Sequence, residues 1–265
     1  MKSRLFLCLM LPTLPALAEE AAAPASPHHW SGGIQLQSEY LVRGLSLSWH
    51  QPSPMLYLDY AHDSGWYAGG WLAGVNTRVY NQGQWEVGGY GGLSGTFMEK
   101  LGWNIGGIVY HYPGAESAPQ FSIPTSYDTA EMYIALSAGP FMGKYWRTLT
   151  NYWGVTSKNP WCWDTGCTPV NGDSHGSQYL EGNLTFTLPH GITLGLHAAH
   201  QWVEHYQQLN YSDYRATLDK SWGSWTGTLG YSGTNAPKTV YTYTSRGETE
   251  NIAKDVLFVK LTRTF

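Results

Sequence analysis

Between residues 31 and 265 the chain is a succession of segments, each about ten residues long, in which apolar and polar side chains alternate and turn residues intervene. In "YLEGNLTFTL", Leu180, Leu184, Phe186 and Leu188 share one parity, while Tyr179, Glu181, Asn183, Thr185 and Thr187 share the other. "EMYIALSA" sets Met132, Ile134, Leu136 and Ala138 against Glu131, Tyr133 and Ser137, and "ITLGLHAA" sets Ile192, Leu194 and Leu196 against Thr193 and His197. Successive side chains of an extended backbone point to opposite faces, so each segment reads as a strand with one apolar and one polar face. An all-β fold follows.

The pattern gives about twelve strands, an even number: 31–43, 54–62, 65–75, 84–95, 101–112, 128–139, 142–153, 177–188, 191–203, 210–220, 223–234 and 255–265. Links after the even-numbered strands are short, such as Asp63-Ser64, Pro140-Phe141, Pro189-His190 and Ser221-Trp222. Most of the others are long, at 44–53, 76–83, 113–127, 154–176, 204–209 and 235–254. Tight turns at one end and loops at the other are the plan of a closed antiparallel transmembrane β-barrel, with short periplasmic turns and longer extracellular loops.

Composition supports lipid as the solvent. Charged residues make up 13% of the chain and aromatics 15%, against roughly 25% charged in a typical soluble domain. After the N-terminus no apolar run reaches the ~20 residues of a membrane-spanning helix. Hydrocarbon offers no partner for a free backbone amide, so strands that cross it must close on themselves. Trp66, Tyr67, Trp103, Tyr152, Trp202, Trp222 and Tyr231 are expected near strand ends, as interfacial girdles. The chain stops on "KDVLFVKLTRTF", where Leu257, Val259, Leu261 and Phe265 share a parity and Arg263, on the same parity, breaks the apolar pattern near the water interface. A closing strand ending in Phe reads as an assembly signal for the barrel-insertion machinery.

Residues 1–18 have the layout of a cleaved signal peptide: Lys2 and Arg4, an apolar core, then Ala16-Leu17-Ala18. Residues 19–30 read as a flexible Ala/Pro linker and 31–265 as the barrel, in the outer membrane of a Gram-negative bacterium. Without Lys2 and Arg4 the 15 basic residues fall to 13 against 19 acidic, a formal charge of −6 that argues against nucleic acid. In an exported chain Cys162 and Cys167 read as a local disulfide rather than a metal site. His197, His200 and His205 look like a metal cluster until parity is applied, because His197 and His200 then point to opposite faces. No cofactor and no metal is expected, and "GGYGGLSG" reads as glycines that let a strand bend rather than as a dinucleotide fingerprint.

Several stretches resemble a family of exported bacterial proteins labelled Gcw_chp, also known as TorF-family porins. They are "SEYLVRGLS" with Tyr40, Arg43 and Gly44, "LDYAHDSGWYAGGWLAGV" with Asp59, Tyr60, Gly65, Tyr67, Gly69 and Trp71, "YHYPG" with Tyr110, Pro113 and Gly114, and "LGYSGTN" from Tyr231 to Asn235. The resemblance implies an outer-membrane barrel with a pore role and transfers no catalytic residue. The Cys162/Cys167 loop is not part of it.

If the polar parity faces a lumen, its wall includes Gln35, Gln37, Glu39, Arg43, Asp59, Glu86, Tyr90, Glu131, Glu181, Asp213, Arg215, Asp219 and Lys260. Seven acids against three bases would favour cations or neutral polar solutes; alternatively these charges pair and fill the barrel. Arg43 reads either as a pore-constriction cation or as half of a lumen ion pair. The leading expectation is a non-enzymatic pore for small hydrophilic solutes, narrow or partly plugged, since about eight strands are just filled by their side chains and sixteen leave a channel. A closed barrel whose loops bind an external ligand is the alternative. A barrel hydrolase is a third reading, for which no Gly-x-Ser-x-Gly elbow is present.

Overall fold

The computed structural model describes residues 26–98, 100–117, 125–156 and 172–265. The Cys162/Cys167 pair and the signal segment lie outside the described residues. Twelve strands form one closed barrel: β1 (His28–Gln37), β4 (Ser53–His62), β5 (Trp66–Gly74), β6 (Trp85–Phe97), β7 (Leu101–His111), β8 (Thr129–Ala138), β9 (Phe141–Thr148), β10 (Gln178–Leu188), β11 (Ile192–Trp202), β12 (Tyr211–Trp222), β13 (Trp225–Thr234) and β16 (Val256–Thr264). Two small hairpins, β2 (Leu41–Val42) with β3 (Leu45–Ser46) and β14 (Thr242–Ser245) with β15 (Glu248–Asn251), belong to the loops. Every neighbouring pair in the barrel is antiparallel, and β1 meets β16 from Gly33 opposite Thr264 to Gln37 opposite Lys260. Phe265 exchanges backbone hydrogen bonds with Gly32 beyond that register. The sheet therefore has no free edge, as a hydrocarbon surrounding demands.

Links of two or three residues join β4 to β5, β6 to β7, β8 to β9, β10 to β11 and β12 to β13, and long loops occupy the opposite end. The alternation read from the sequence becomes the difference between wall and lumen. Ile34, Leu36, Leu56, Leu58, Ile105, Val109, Ile134, Leu136, Leu229, Leu257, Val259 and Leu261 are exposed on the outside, while Gln35, Gln37, Asp59, Glu86, Glu131, Asp213 and Thr262 are buried within. Apolar residues outside and polar residues inside is the reverse of a water-soluble fold, and it is the arrangement that lipid stabilises. Trp30, Trp66, Phe97, Trp222, Trp225 and Phe265 are exposed near the short-turn end, and Trp85, Trp202, Tyr214 and Tyr231 near the loop end.

Two expected girdle residues are elsewhere. Tyr67 has the opposite parity to Trp66 and points inward, where its hydroxyl meets Tyr133 and Asn104, each at 2.5 Å. Tyr152 is buried among the loops. The first and seventh strands also end earlier than the alternation suggests, at Gln37 and Thr148. Residues 28–30, assigned to the linker, instead begin β1, with Trp30 packed on Tyr60 and His29 hydrogen-bonded to Asp63.

The main apolar core sits at the loop end. Tyr40, Leu45, Leu47, Trp49, Tyr80, Tyr112, Tyr152, Trp153, Val155, Val203, Tyr206, Leu209, Tyr241 and Ile252, all from segments between barrel strands, pack into one buried cluster. The long loops thus fold over the barrel and into its mouth.

Candidate functional site

The lumen is the candidate site, and the β2–β3 hairpin folds into it. After Gln37 the chain leaves the wall: Ser38 is held to Val259 through its backbone and its hydroxyl, and residues 39–50 turn inward. Arg43 and Gly44 form the hairpin tip at φ 50° and 76°. This left-handed pair is the tight turn that matches strand twist, and it favours Gly at the second position. Gly44 also lies so close to β12 and β13 that a Cβ would sit 2.8 Å from Asp213 Cβ and 3.2 Å from Thr234 Cβ.

From that tip Arg43 reaches across the barrel. Its guanidinium donates to Glu131 Oε2 on β8 at 2.6 Å and to Gln201 Oε1 on β11 at 2.9 Å. It lies over the Tyr179 ring at 4.3 Å, with Trp153 at 5.4 Å and Trp146 at 5.7 Å. Arg43 and Glu131 are both buried, so their charges are compensated by one another and by the surrounding rings. Of the two sequence readings of Arg43, the geometry shows the ion pair, which ties the inserted hairpin to β8. Its partner is Glu131 and not the same-parity Glu39.

Glu39 anchors the base of the hairpin. It accepts a hydrogen bond from Ser46 and one at 3.0 Å from His50 Nδ1, while His50 Nε2 lies 2.8 Å from the Asn251 carbonyl. Both partners of the imidazole are acceptors, so only the doubly protonated ring satisfies both. Burial by itself would lower the His50 pKa; Glu39 and the Asn251 carbonyl outweigh it and hold the ring above its ordinary value.

The remaining wall acids are each met by donors. Glu86 accepts from Tyr40 at 2.5 Å and from Trp71 Nε1 and Tyr112 at 2.7 Å. Asp59 accepts from Tyr90. Asp213 accepts from Tyr179 at 2.9 Å and lies 3.0 Å from His197 Nε2, while His197 Nδ1 faces Asn183 Oδ1 at 2.8 Å. Glu181 accepts from Trp146 Nε1 at 2.7 Å. Below this layer Asp219 accepts from Thr228 at 2.5 Å and from Thr217 at 3.3 Å, and it shares a partly open stretch of wall with Arg215, Lys260, Thr185 and Thr187.

Every residue named from parity as a wall candidate lies on the inside, but Glu39 and Arg43 sit on the inserted loop rather than on a strand. Lys144 was missed. It is buried, with Nζ 3.7 Å from the centres of both the Tyr133 and Trp146 rings, and Arg147 is outside. The alternation of Lys144 and Trp146 held the signal; the odd-numbered Arg147 obscured it. His200 faces outward and pairs with Ser212 at 2.8 Å, on the opposite face from His197. Leu257, Val259, Leu261 and Phe265, expected to be an assembly signal, form an exposed apolar stripe.

The barrel is similar in fold to solved porins. A structure titled "NanC porin structure in rhombohedral crystal form" aligns with a TM-score of 0.53 at 8% identity, covering 89% of this chain and 98% of that one. One titled "KdgM porin in complex with disordered oligogalacturonate" aligns at 0.52 and 9% identity, covering 89% and 99%. No curated protein matches the sequence. The profile of a family described as "Bacterial protein of unknown function (Gcw_chp)" matches residues 21–265. With that match spanning nearly its whole length, the chain belongs to the Gcw_chp family.

Proposed function

We propose that this protein is an outer-membrane channel through which small hydrophilic solutes diffuse, with the β2–β3 hairpin as its constriction. The observation that carries the reading is the sealed twelve-stranded wall, apolar outside and polar inside. Such a wall is stable in lipid and encloses a polar path. The fold likeness to porins supports it. The exported chain would be inserted by the barrel-assembly machinery, which its C-terminal stripe and Phe265 fit. The acid excess of the wall does not make an open anionic surface, because Asp59, Glu86, Glu131 and Asp213 are buried against donors. Solute preference then falls to the accessible lower wall.

The hydrophobic cluster over the mouth favours one second reading, a barrel whose loops bind an external partner and do not conduct. Planar-bilayer recording separates the two. Discrete conductance steps from purified, refolded protein are expected. Their absence from protein that shows heat-modifiable gel mobility would remove the channel and leave the binding barrel.

A further inference from the structure

We propose that the outer face of strands β9 to β12 seats one phospholipid, with its phosphate at Arg147 and His200 and one acyl chain in the groove below them. The site lies on the lipid-facing wall, so it goes beyond the channel reading and holds whether or not the lumen conducts.

The groove comes from the sheet register. Gly143 on β9 lies opposite Gly182 on β10, Gly182 opposite Ala198 on β11, and Ala198 opposite Tyr214 on β12. Outward positions elsewhere carry side chains as large as Leu58, Ile105, Ile134 and Leu229, whereas three adjacent strands here carry a hydrogen or a methyl. The result is a groove of about 570 Å³ bounded by Leu180, Tyr214 and Phe141. A Cβ on Gly143 or Gly182 would meet the Phe141 ring at 3.3 and 3.5 Å, so that ring leans over the glycines and closes the short-turn end. The lining is short of contacts wherever nothing fills the groove, and in hydrocarbon a flexible lipid chain is at hand to supply them.

The polar end of the site lies toward the loops. One row up, His200 stands opposite both Leu180 and Ser212 at the groove's rim, and its Nδ1 meets Ser212 Oγ at 2.8 Å. With the serine hydroxyl donating to Nδ1, the imidazole proton sits on Nε2 as a donor, and Nε2 has no partner among the described residues. The ring lies 4.3 Å from that of Trp202 in the loop-end girdle. A further row up, Arg147 stands opposite Gln178 and is exposed on the outside. Its guanidinium lies over Gly176, where a Cβ would be 3.2 Å from Nη2, and among the described residues it makes neither an ion pair nor a hydrogen bond. Arg263, the outward arginine of the short-turn end, rests instead on the Trp225 ring at 5.7 Å.

An unpaired guanidinium at the level of the tryptophan girdle meets a lipid phosphate as its natural anion, and the planar fork suits two phosphate oxygens. Four residues separate Arg147 from Gly143, roughly 14 Å of strand, so a chain attached to that phosphate runs down past Leu180 into the groove. A second copy of the chain is a poorer occupant, because it has no outward acid to offer Arg147. Among the described residues the carboxylates of the barrel strands, Asp59, Glu86, Glu131, Glu181, Asp213 and Asp219, all point into the lumen. Cation above and apolar groove below, on one line of the wall, match the head and tail of a single lipid.

Native mass spectrometry of the refolded full chain in detergent, after incubation with dioleoyl phosphatidylglycerol or with dioleoylglycerol, tests the site. One phosphatidylglycerol per barrel should be retained in preference to dioleoylglycerol, which has the chains without the phosphate, and inorganic phosphate should not displace it. Arg147→Gln should lower retention roughly fivefold, the effect of one cation beside an anionic headgroup, whereas Arg263→Gln should leave it unchanged. Gly182→Leu fills the groove and should cut retention with Arg147 intact; if that variant lacks the heat-modifiable band, Ala198→Leu carries the same test. Equal retention of the two lipids, displacement by inorganic phosphate, equal losses in Arg147→Gln and Arg263→Gln, or undiminished retention in the folded groove variant would each overturn the site. A groove variant that altered the oligomeric state and left lipid retention alone would overturn it as well, and would give the groove to a second copy of the chain.

Discussion

Arg43 holds the inserted hairpin through one carboxylate and three rings, so its removal has a defined consequence. Truncating one member of a buried ion pair strands the other, a loss of about 3–5 kcal/mol. Arg43→Ala is expected to lower stability by about that amount in urea titrations of the barrel in micelles. The Arg43→Ala/Glu131→Ala pair should lose less than the sum of the singles, because the double variant no longer buries a lone charge. His50 supplies a pH test in the same loop. Its pKa is raised in the fold, with Lys254 opposing the effect of Glu39 and Asn251. The stabilisation it contributes is therefore fully present below the unfolded value of about 6.5 and is lost as pH rises through the higher folded value. Hydrogen exchange across residues 39–50 should accelerate on going from acid to alkaline buffer more than a reference strand does, and His50→Gln should remove the difference. Parity alone was enough to put Asp59, Glu86, Glu131, Glu181, Asp213 and Lys260 on the inside. It could not pair them, because the partner of Arg43 is 88 residues away and only the closed barrel brings the two together.

At the scale of elements, ten of the twelve strands were legible to within about two residues, since lipid outside and polar side chains inside enforce strict alternation. The first strand was overextended because Glu39, Leu41 and Arg43 continue a plausible alternation after the chain has left the sheet. Only the bonds of Ser38 to Val259 and the left-handed Arg43-Gly44 turn mark the departure. The glycines of β6 were read as bending points, whereas Gly88 makes room: a Cβ there would lie 1.9 Å from the Trp71 ring, which its indole N–H fixes on Glu86. Gly88→Leu should therefore abolish the heat-modifiable folded band, while leucine at the outward Gly89, where the nearest contact to a Cβ is 3.7 Å, should leave it. The inserted hairpin yields a further test. Replacing residues 41–46 with a short Gly/Ser linker removes Arg43 from the lumen, and larger single-channel conductance is expected. An unchanged conductance would move the constriction elsewhere.

For the whole molecule, the decisive contact is the seam between β1 and β16, which joins the first and last strands of the barrel. A lone strand end in water is a modest liability; in hydrocarbon each unpaired amide costs several kcal/mol. β16 pairs with β13 on one side and β1 on the other, so deleting Val256–Phe265 would expose two edges at once. The β14–β15 hairpin, by contrast, forms a sheet only with itself outside the barrel wall, tied to the other loops through Asn251 and Glu248. Two changes that each remove ten residues thus have opposite expected outcomes. Loss of the ten C-terminal residues should prevent insertion into liposomes and eliminate the protease-protected, heat-modifiable form, whereas replacing residues 242–251 with a short polar turn should preserve both. A barrel that still inserted without its last strand would mean that closure is not what stabilises the fold. The amphipathic wall alone would then have to account for its residence in lipid, an outcome that the cost of unpaired amides argues against.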